Sequence, residues 1–244
     1  AHADPIIALY EANRLRQVQD GAAPERTFNI PNGIALHRFA PLRAQRPADP
    51  PPVLCLIGRV VPIKDIKTLL YAFLELSARC KNVRLHILGG VDDEEYGAEC
   101  HALVETLGVR DLIFTGRVNV VEYMEKLDFT ILTSISEGQP LSVLESLAAR
   151  RPCVTTEVGC CRELLEGAPG DDFGVAGFVT PPMYRKGLAD AMERMCTSRA
   201  RRIEMGERGQ RRVATYFLHE QMLANYRALY DETAQAFDLP REGE

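Results

Sequence analysis

Six apolar runs decide the fold of this chain: VLCLI (53–57), VRLHIL (83–88), LIFT (112–115), FTILT (129–133), CVTT (153–156) and GFVT (177–180). Each precedes a helical pattern, at roughly 66–79, 96–107, 120–126, 140–149, 161–166 and 186–197. A strand wetted on one face alternates apolar with polar residues, whereas a strand covered on both faces reads as a continuous run. Short continuous runs alternating with helices predict α/β architecture, a doubly wound parallel sheet of about six strands. The last stretch, 199–237, is helical in pattern throughout, with Val213, Tyr216, Phe217, Met222, Tyr226, Leu229 and Tyr230 on the spacing of a tail packed by one face.

Before the first run, ALHRFAPLRAQRPADPPP (35–52) is polar and carries four prolines from Pro47 onward, the composition of a linker or hinge. TFNIPNGI (27–34) reads as a short strand closed by a Pro-Asn-Gly turn. The opening residues AHADPIIALYEANRLRQVQDG place Ile6, Ile7, Leu9, Tyr10, Asn13 and Leu15 on helical spacing, with Gly21 as the stop. The chain opens inside a helical pattern, without Met, as a cut through a longer protein would. The expected organisation is the end of a preceding domain plus a linker (1–46), a ligand-binding α/β domain (47–198) and C-terminal helices (199–244).

Composition narrows the function. The chain has 244 residues, 46% hydrophobic and 26% charged, with 29 Lys and Arg against 34 Asp and Glu, a net charge of −5. Acidic balance disfavours nucleic acid as the bulk partner. No apolar run approaches the ~20 residues that span a bilayer. Seven cysteines without a CxxC pair suit reduced thiols in a cytoplasmic protein, and vicinal Cys160-Cys161 reads as structural. His86 lies within a strand as a core or pocket-edge residue, with no companion placed for a metal. Arginines 194, 199, 201, 202, 208, 211 and 212 read as a solvated helical face.

In a doubly wound sheet, ligands collect at the carboxyl ends of the strands, so the loops after each run carry the chemistry. GRVVPIKD (58–65) follows the first run. It is neither GxGxxG nor a P-loop, which excludes those nucleotide fingerprints. It offers Arg59 and Lys64, a guanidinium fork and a point charge able to neutralise a diphosphate. SEGQPLSVLE (136–145) follows the fourth run. Pro140 suits a helix start, leaving the N–H groups of Leu141 and Ser142 free for a phosphate or hydroxyl. Glu137 precedes that helix, and Glu145 lies roughly 7.5 Å along it, two carboxylates spaced for a long ligand with hydroxyls at both ends. Gly89-Gly90 supplies a tight turn after the second run and could line the same pocket.

GRVVPIK, FTGRV (114–118) and EGQPLSVLE, in that order after the first, third and fourth runs, together resemble the C-terminal, Rossmann-like domain of the family 4 retaining glycosyltransferases of GT-B architecture. IPNGI with His37, Phe39 and Pro41 resembles the segment leading into that domain, and LYEANRLRQ, GRVVPIKDIKTL and GCCRELL resemble the branch serving Pel exopolysaccharide synthesis. The resemblance implies that Arg59 and Lys64 hold the donor diphosphate, and that Glu137 contacts the donor sugar near the reacting carbon. Glu145 would bind the ribose. The backbone of Gly138, Gln139, Pro140 and Leu141 would line sugar and phosphate, and Arg117 and Val118 would flank the base. Three positions depart from the family pattern: Asp65 and Arg150 stand where glycine is usual, and Gln139 where an aromatic is. A left-handed backbone at Arg150 would cost on the order of 1 kcal/mol.

The implied activity is retaining transfer of a hexosyl unit from a UDP-sugar, UDP-glucose or a UDP-N-acetylhexosamine, to a polysaccharide acceptor, without an obligate metal or other cofactor. The implied partners are the preceding GT-B domain and an inner-membrane polysaccharide synthase complex. This chain alone would bind donor and transfer nothing, because catalysis needs both halves of the cleft. The alternative readings are a UDP-sugar epimerase of the same architecture and a non-catalytic nucleotide-binding module.

Overall fold

The computed structural model describes residues 5–44, 46–47 and 51–236, so the linker residues 48–50 and the end of the expected tail at 237–244 lie outside it. Strand β1 (Ile6–Ala8), helix α1 (Glu11–Gln19) and strand β2 (Thr27–Asn29) come first, with β1 and β2 forming a two-stranded parallel sheet. Then follow β3 (Val53–Ile57), α2 (Ile66–Arg79), β4 (Arg84–Leu88), α3 (Glu94–Leu107), β5 (Leu112–Gly116), α4 (Val120–Tyr123) and β6 (Phe129–Leu132). α5 (Leu141–Ala148), β7 (Cys153–Thr156), α6 (Cys161–Glu166), β8 (Gly177–Thr180), α7 (Arg185–Cys196), α8 (Arg199–Tyr216) and α9 (His219–Ala236) complete the order.

All six runs are parallel strands of one sheet, in the order β5-β4-β3-β6-β7-β8. Alternation along β3 explains why its run is apolar throughout. Leu54 and Leu56 join Leu69, Phe73 and Met192 in the core on one face, while Val53, Cys55 and Ile57 join Val143, Leu147 and Leu164 on the other. The order reverses between β3 and β6, so the crevice at their carboxyl ends is the one place where neighbouring strands send their loops apart.

The structure corrects or refines four sequence expectations. Ile6 and Ile7 lie in a strand, not a helix: two β-branched residues pair with Thr27 and Phe28, and α1 starts only at Glu11. Helix 199–237 is broken at Phe217 and Leu218, where Ile34 donates to Phe217 and accepts from His219. Gly33 is pressed there so closely that a Cβ would stand 2.5 Å from the Leu218 carbonyl oxygen. The described part of the 35–52 stretch is pinned: Phe39 is in the core, and the fully buried Arg151 donates to the carbonyls of Arg43 and Ala44. Burial pulls the Arg151 pKa down to about 10.

The fourth correction concerns the arginine face. Arg194, Arg199 and Arg211 are exposed, but Arg202 and Arg212 are only 5% and 1% exposed. Arg202 donates to the carbonyls of Met195 and Cys196. Arg212 forms a two-pronged pair with buried Asp171 and donates to the carbonyls of Leu164, Leu165 and Gly174, clamping α8 onto the α6 side of the sheet. Burial works to raise the Asp171 pKa, but the Arg212 hydrogen bonds overbalance it and hold the carboxyl below its ordinary range. Arg212→Ala would strand that carboxylate, and a loss of about 3–5 kcal/mol in urea unfolding is expected. A loss under 1 kcal/mol would show that the pair does not hold α8.

Candidate functional site

Two loops meet at the reversal point. After β3 the chain passes through Gly58 and Arg59 into a 3-10 turn, Pro62–Lys64, and Asp65 caps α2 in the left-handed region at φ 46°, accepting from the Thr68 N–H. After β6 it passes through Thr133–Gln139 to Pro140, which caps α5. Thr133 Oγ1 donates to the Lys64 carbonyl at 2.6 Å, and the Ile135 N–H to the Ile63 carbonyl at 2.9 Å. The loops are tied to each other, and their side chains meet as well. Lys64 Nζ lies 2.6 Å from Glu137 Oε1, which also accepts from Ser134 Oγ at 2.7 Å.

The rest of the Glu137 loop is fixed from behind. The Gly138 carbonyl accepts from the Cys160 N–H at 3.0 Å, and Gly159 lies so close that a Cβ would stand 2.0 Å from that carbonyl oxygen. Gln139, only 6% exposed, accepts the Asn32 N–H on its side-chain oxygen, while Asn32 Nδ2 donates to its carbonyl. Where the family pattern has an aromatic, this chain thus has an amide bolting the loop to the IPNGI segment. Pro140 is buried, Leu141 is exposed, and the N–H groups of Leu141 and Ser142 open α5 with no intrahelical partner.

On the other side of β3 lies a cavity of about 420 Å³, lined by Gly58, Arg59, Gly89, Gly90, Arg117 and Val118 among others. The glycines make it possible: a Cβ on Gly89 would come within 2.0 Å of the Gly58 carbonyl oxygen, and one on Gly90 within 2.8 Å of Arg117 Nε. Gly89-Gly90 therefore both turns the chain and lines the pocket. Asp92 bridges the mouth, 3.3 Å from Arg59 Nη1 and 3.3 Å from Arg117 Nη2.

The structure thus brings the candidates together in two groups. Lys64 pairs with Glu137, while Arg59, Arg117 and Val118 share the cavity. The two cations read as one diphosphate clamp are each held by a separate carboxylate. Glu145 stands apart on α5, half-buried, its carboxylate without a hydrogen-bond partner among the described residues. Burial pushes its pKa up, against the opposing influence of Arg38. Sequence reasoning missed Ser134, Asn32 and Asp92. Ser134, three residues before Glu137, was the one with a local signal.

Elsewhere, His86 is a buried strand residue whose Nδ1 lies 3.1 Å from the Tyr123 hydroxyl, and Cys160 and Cys161 are buried free thiols. Arg150, like Asp65, is left-handed, at φ 56°, so both departures from family glycines fall where the backbone favours glycine. Among the described residues no three His, Cys, Asp or Glu side chains gather as a metal site, and no helix is long and apolar enough to cross a membrane.

Comparison with known proteins gives this geometry a family. The family described as Glycosyl transferases group 1 matches residues 51–198. The D-inositol 3-phosphate glycosyltransferase of Geodermatophilus obscurus is 29% identical over 258 residues, covering 97% of this chain and 55% of its own. The capsular polysaccharide biosynthesis glycosyltransferase CapM of Staphylococcus aureus is 21% identical, covering 94% and 62%. The crystal structure of HepE of Anabaena, in complex with UDP and glucose, matches with a TM-score of 0.80 at 20% identity, over 94% of this chain and 63% of HepE. The chain spans about half the length of the curated relatives it matches. With more than half of its residues matched by that family, and with the strand order and crevice described above, this chain belongs to the group 1 glycosyl transferases.

Proposed function

We propose that this chain is the donor-binding half of a retaining hexosyltransferase that takes a UDP-sugar, UDP-glucose or a UDP-N-acetylhexosamine, in cytoplasmic synthesis of an exopolysaccharide. Within the family, segments such as LYEANRLRQ and GCCRELL resemble PelF of the Pel system. The observation that carries the reading is the Lys64–Glu137 contact across the reversal point, with the Arg59–Arg117 cavity beside it. HepE, seen with UDP and glucose, supports the donor class, and CapM supports the polysaccharide setting. On this reading residues 1–46 are the end of an acceptor-side domain plus a linker, 47–198 bind donor, and 199–244 are C-terminal helices; the chain alone binds donor without turning it over.

The base sits by Arg117 and Val118, and the ribose hydroxyls bond to Glu145. The diphosphate meets Arg59, Lys64 and the open N–H groups of α5. As the bond from the sugar's anomeric carbon to the diphosphate breaks, negative charge gathers on departing UDP, and these fixed positive groups stabilise it without a metal. Glu137 then has two uses. It pairs with Lys64, and on donor binding it accepts from sugar hydroxyls while Lys64 turns to phosphate. The acceptor hydroxyl oxygen forms the new bond on the face the diphosphate leaves and gives its proton to the departing phosphate oxygen, which retains configuration.

Calorimetry separates these roles. Arg59→Ala should weaken UDP binding by about 1.5–3 kcal/mol, the range for hydrogen bonds to charged groups, and uridine binding much less. Equal losses for both would rule out a phosphate role. Glu145→Gln should weaken uridine and UDP alike. Glu137→Gln should leave UDP affinity intact or raise it, because Lys64 is freed, while impairing transfer by the full-length protein. The reverse pattern for the two carboxylates would overturn their assignment.

A further inference from the structure

Seven thiols are free in this chain, and five of them, Cys55, Cys100, Cys153, Cys160 and Cys161, are buried. The two with solvent access, Cys80 and Cys196, sit at the ends of neighbouring helices. α2 and α7 each return from the carboxyl to the amino edge of the parallel sheet, so they run the same way and their C-terminal ends coincide. Their seam is closely packed, with Leu69, Leu76, Met192 and Met195 in one core cluster and both cysteines against it. Arg79, the residue before Cys80, crosses the seam to Asp190 and Glu193. Glu193 is three residues before Cys196, hence on the same helical face. The clasp therefore sets Cys80 opposite Cys196, near enough that each thiol perturbs the other's pKa.

We propose that Cys80 and Cys196 form a reversible disulfide with low-molecular-weight disulfides, a redox modification site at the edge of the sheet opposite the ligand crevice. The Cys80 thiolate attacks the small disulfide RSSR, whose S–S bond breaks and releases RS⁻, which takes up a proton. The Cys196 thiolate then attacks Cys80 Sγ in the mixed disulfide and expels the second RS⁻. In balance, two cysteine thiols and RSSR give one protein disulfide and two RSH. Burial and Glu193 raise the Cys80 pKa, and burial raises that of Cys196 to about 12, so Cys80, the less buried, is the entry thiol and the reaction is slow. The bond closes a loop of more than 100 residues and ties α2 to α7, which constrains the unfolded chain strongly.

The test is incubation of the whole chain with glutathione disulfide, followed by denaturation, N-ethylmaleimide labelling and intact mass. The expected product carries five maleimides instead of seven, and its Tm rises by roughly 5–15 °C. Cys196→Ser should stop at the first step, with one glutathione on Cys80, and Cys80→Ser should keep all six remaining thiols free. UDP affinity should be the same before and after oxidation, because the bond lies at the far edge of the sheet. Seven maleimides on the oxidised chain, or a bond mapped to Cys160 and Cys161, would overturn the proposal.

Discussion

The hydrogen bonds from Thr133 and Ile135 to the carbonyls of Lys64 and Ile63 are the constraint on which the candidate site depends. β3 and β6 are neighbours in the sheet, yet β3 continues to β4 on one side and β6 to β7 on the other. Loops leaving such a pair would diverge. Here they are joined, and the joint fixes the origin of both the Lys64 and the Glu137 side chains. Behind it, Gly159, Cys160 and Asn32 hold the Glu137 loop against the rest of the domain. Neither loop can shift without breaking buried or half-buried hydrogen bonds, so the chain's own bonds hold the crevice in shape.

Electrostatics in the crevice follows one pattern: each candidate phosphate-binding cation pairs with a carboxylate. Asp92 bridges Arg59 and Arg117, two largely exposed side chains, and such pairs are worth about 0.2–1 kcal/mol. A diphosphate carries more charge than one carboxylate and offers bidentate geometry, so exchange of Arg59 onto it is favourable. Lys64 and Glu137 are more enclosed, each 17% exposed, and under the proposed reading their exchange is coupled to the arrival of hydroxyls for Glu137. Glu145 contrasts with these. Its carboxylate has no hydrogen-bond partner among the described residues to give up, and burial disfavours its charge, so hydrogen-bond donors from a ligand relieve that cost.

The parallel sheet was legible because its six runs are buried on both faces, which leaves a signature in consecutive residues. The loops were legible because GRVVPIKD and SEGQPLSVLE concentrate charge at the carboxyl ends of strands. What sequence could not supply was pairing across distance. Nothing local says that Asp92 lies between two arginines, that Asn32 bolts Gln139, or that Arg212 is buried on Asp171; helical periodicity alone made Arg212 a surface residue. The β1 segment failed for another reason, since two isoleucines and a leucine fit strand and helix equally until a partner strand is known. The strained Asp65 and Arg150 were visible only as departures from a family's glycines, and the backbone angles give them their meaning.

Hydrogen–deuterium exchange with and without saturating UDP tests the central claim, that the crevice joining the β3 and β6 loops receives the donor. Protection is expected in residues 58–66, 116–120 and 138–146, which hold the cavity rim, the Lys64 turn and the start of α5, with α9 and the α2–α7 seam unchanged. Calorimetrically detectable UDP binding with no protection in the 58–66 and 138–146 segments would contradict the account.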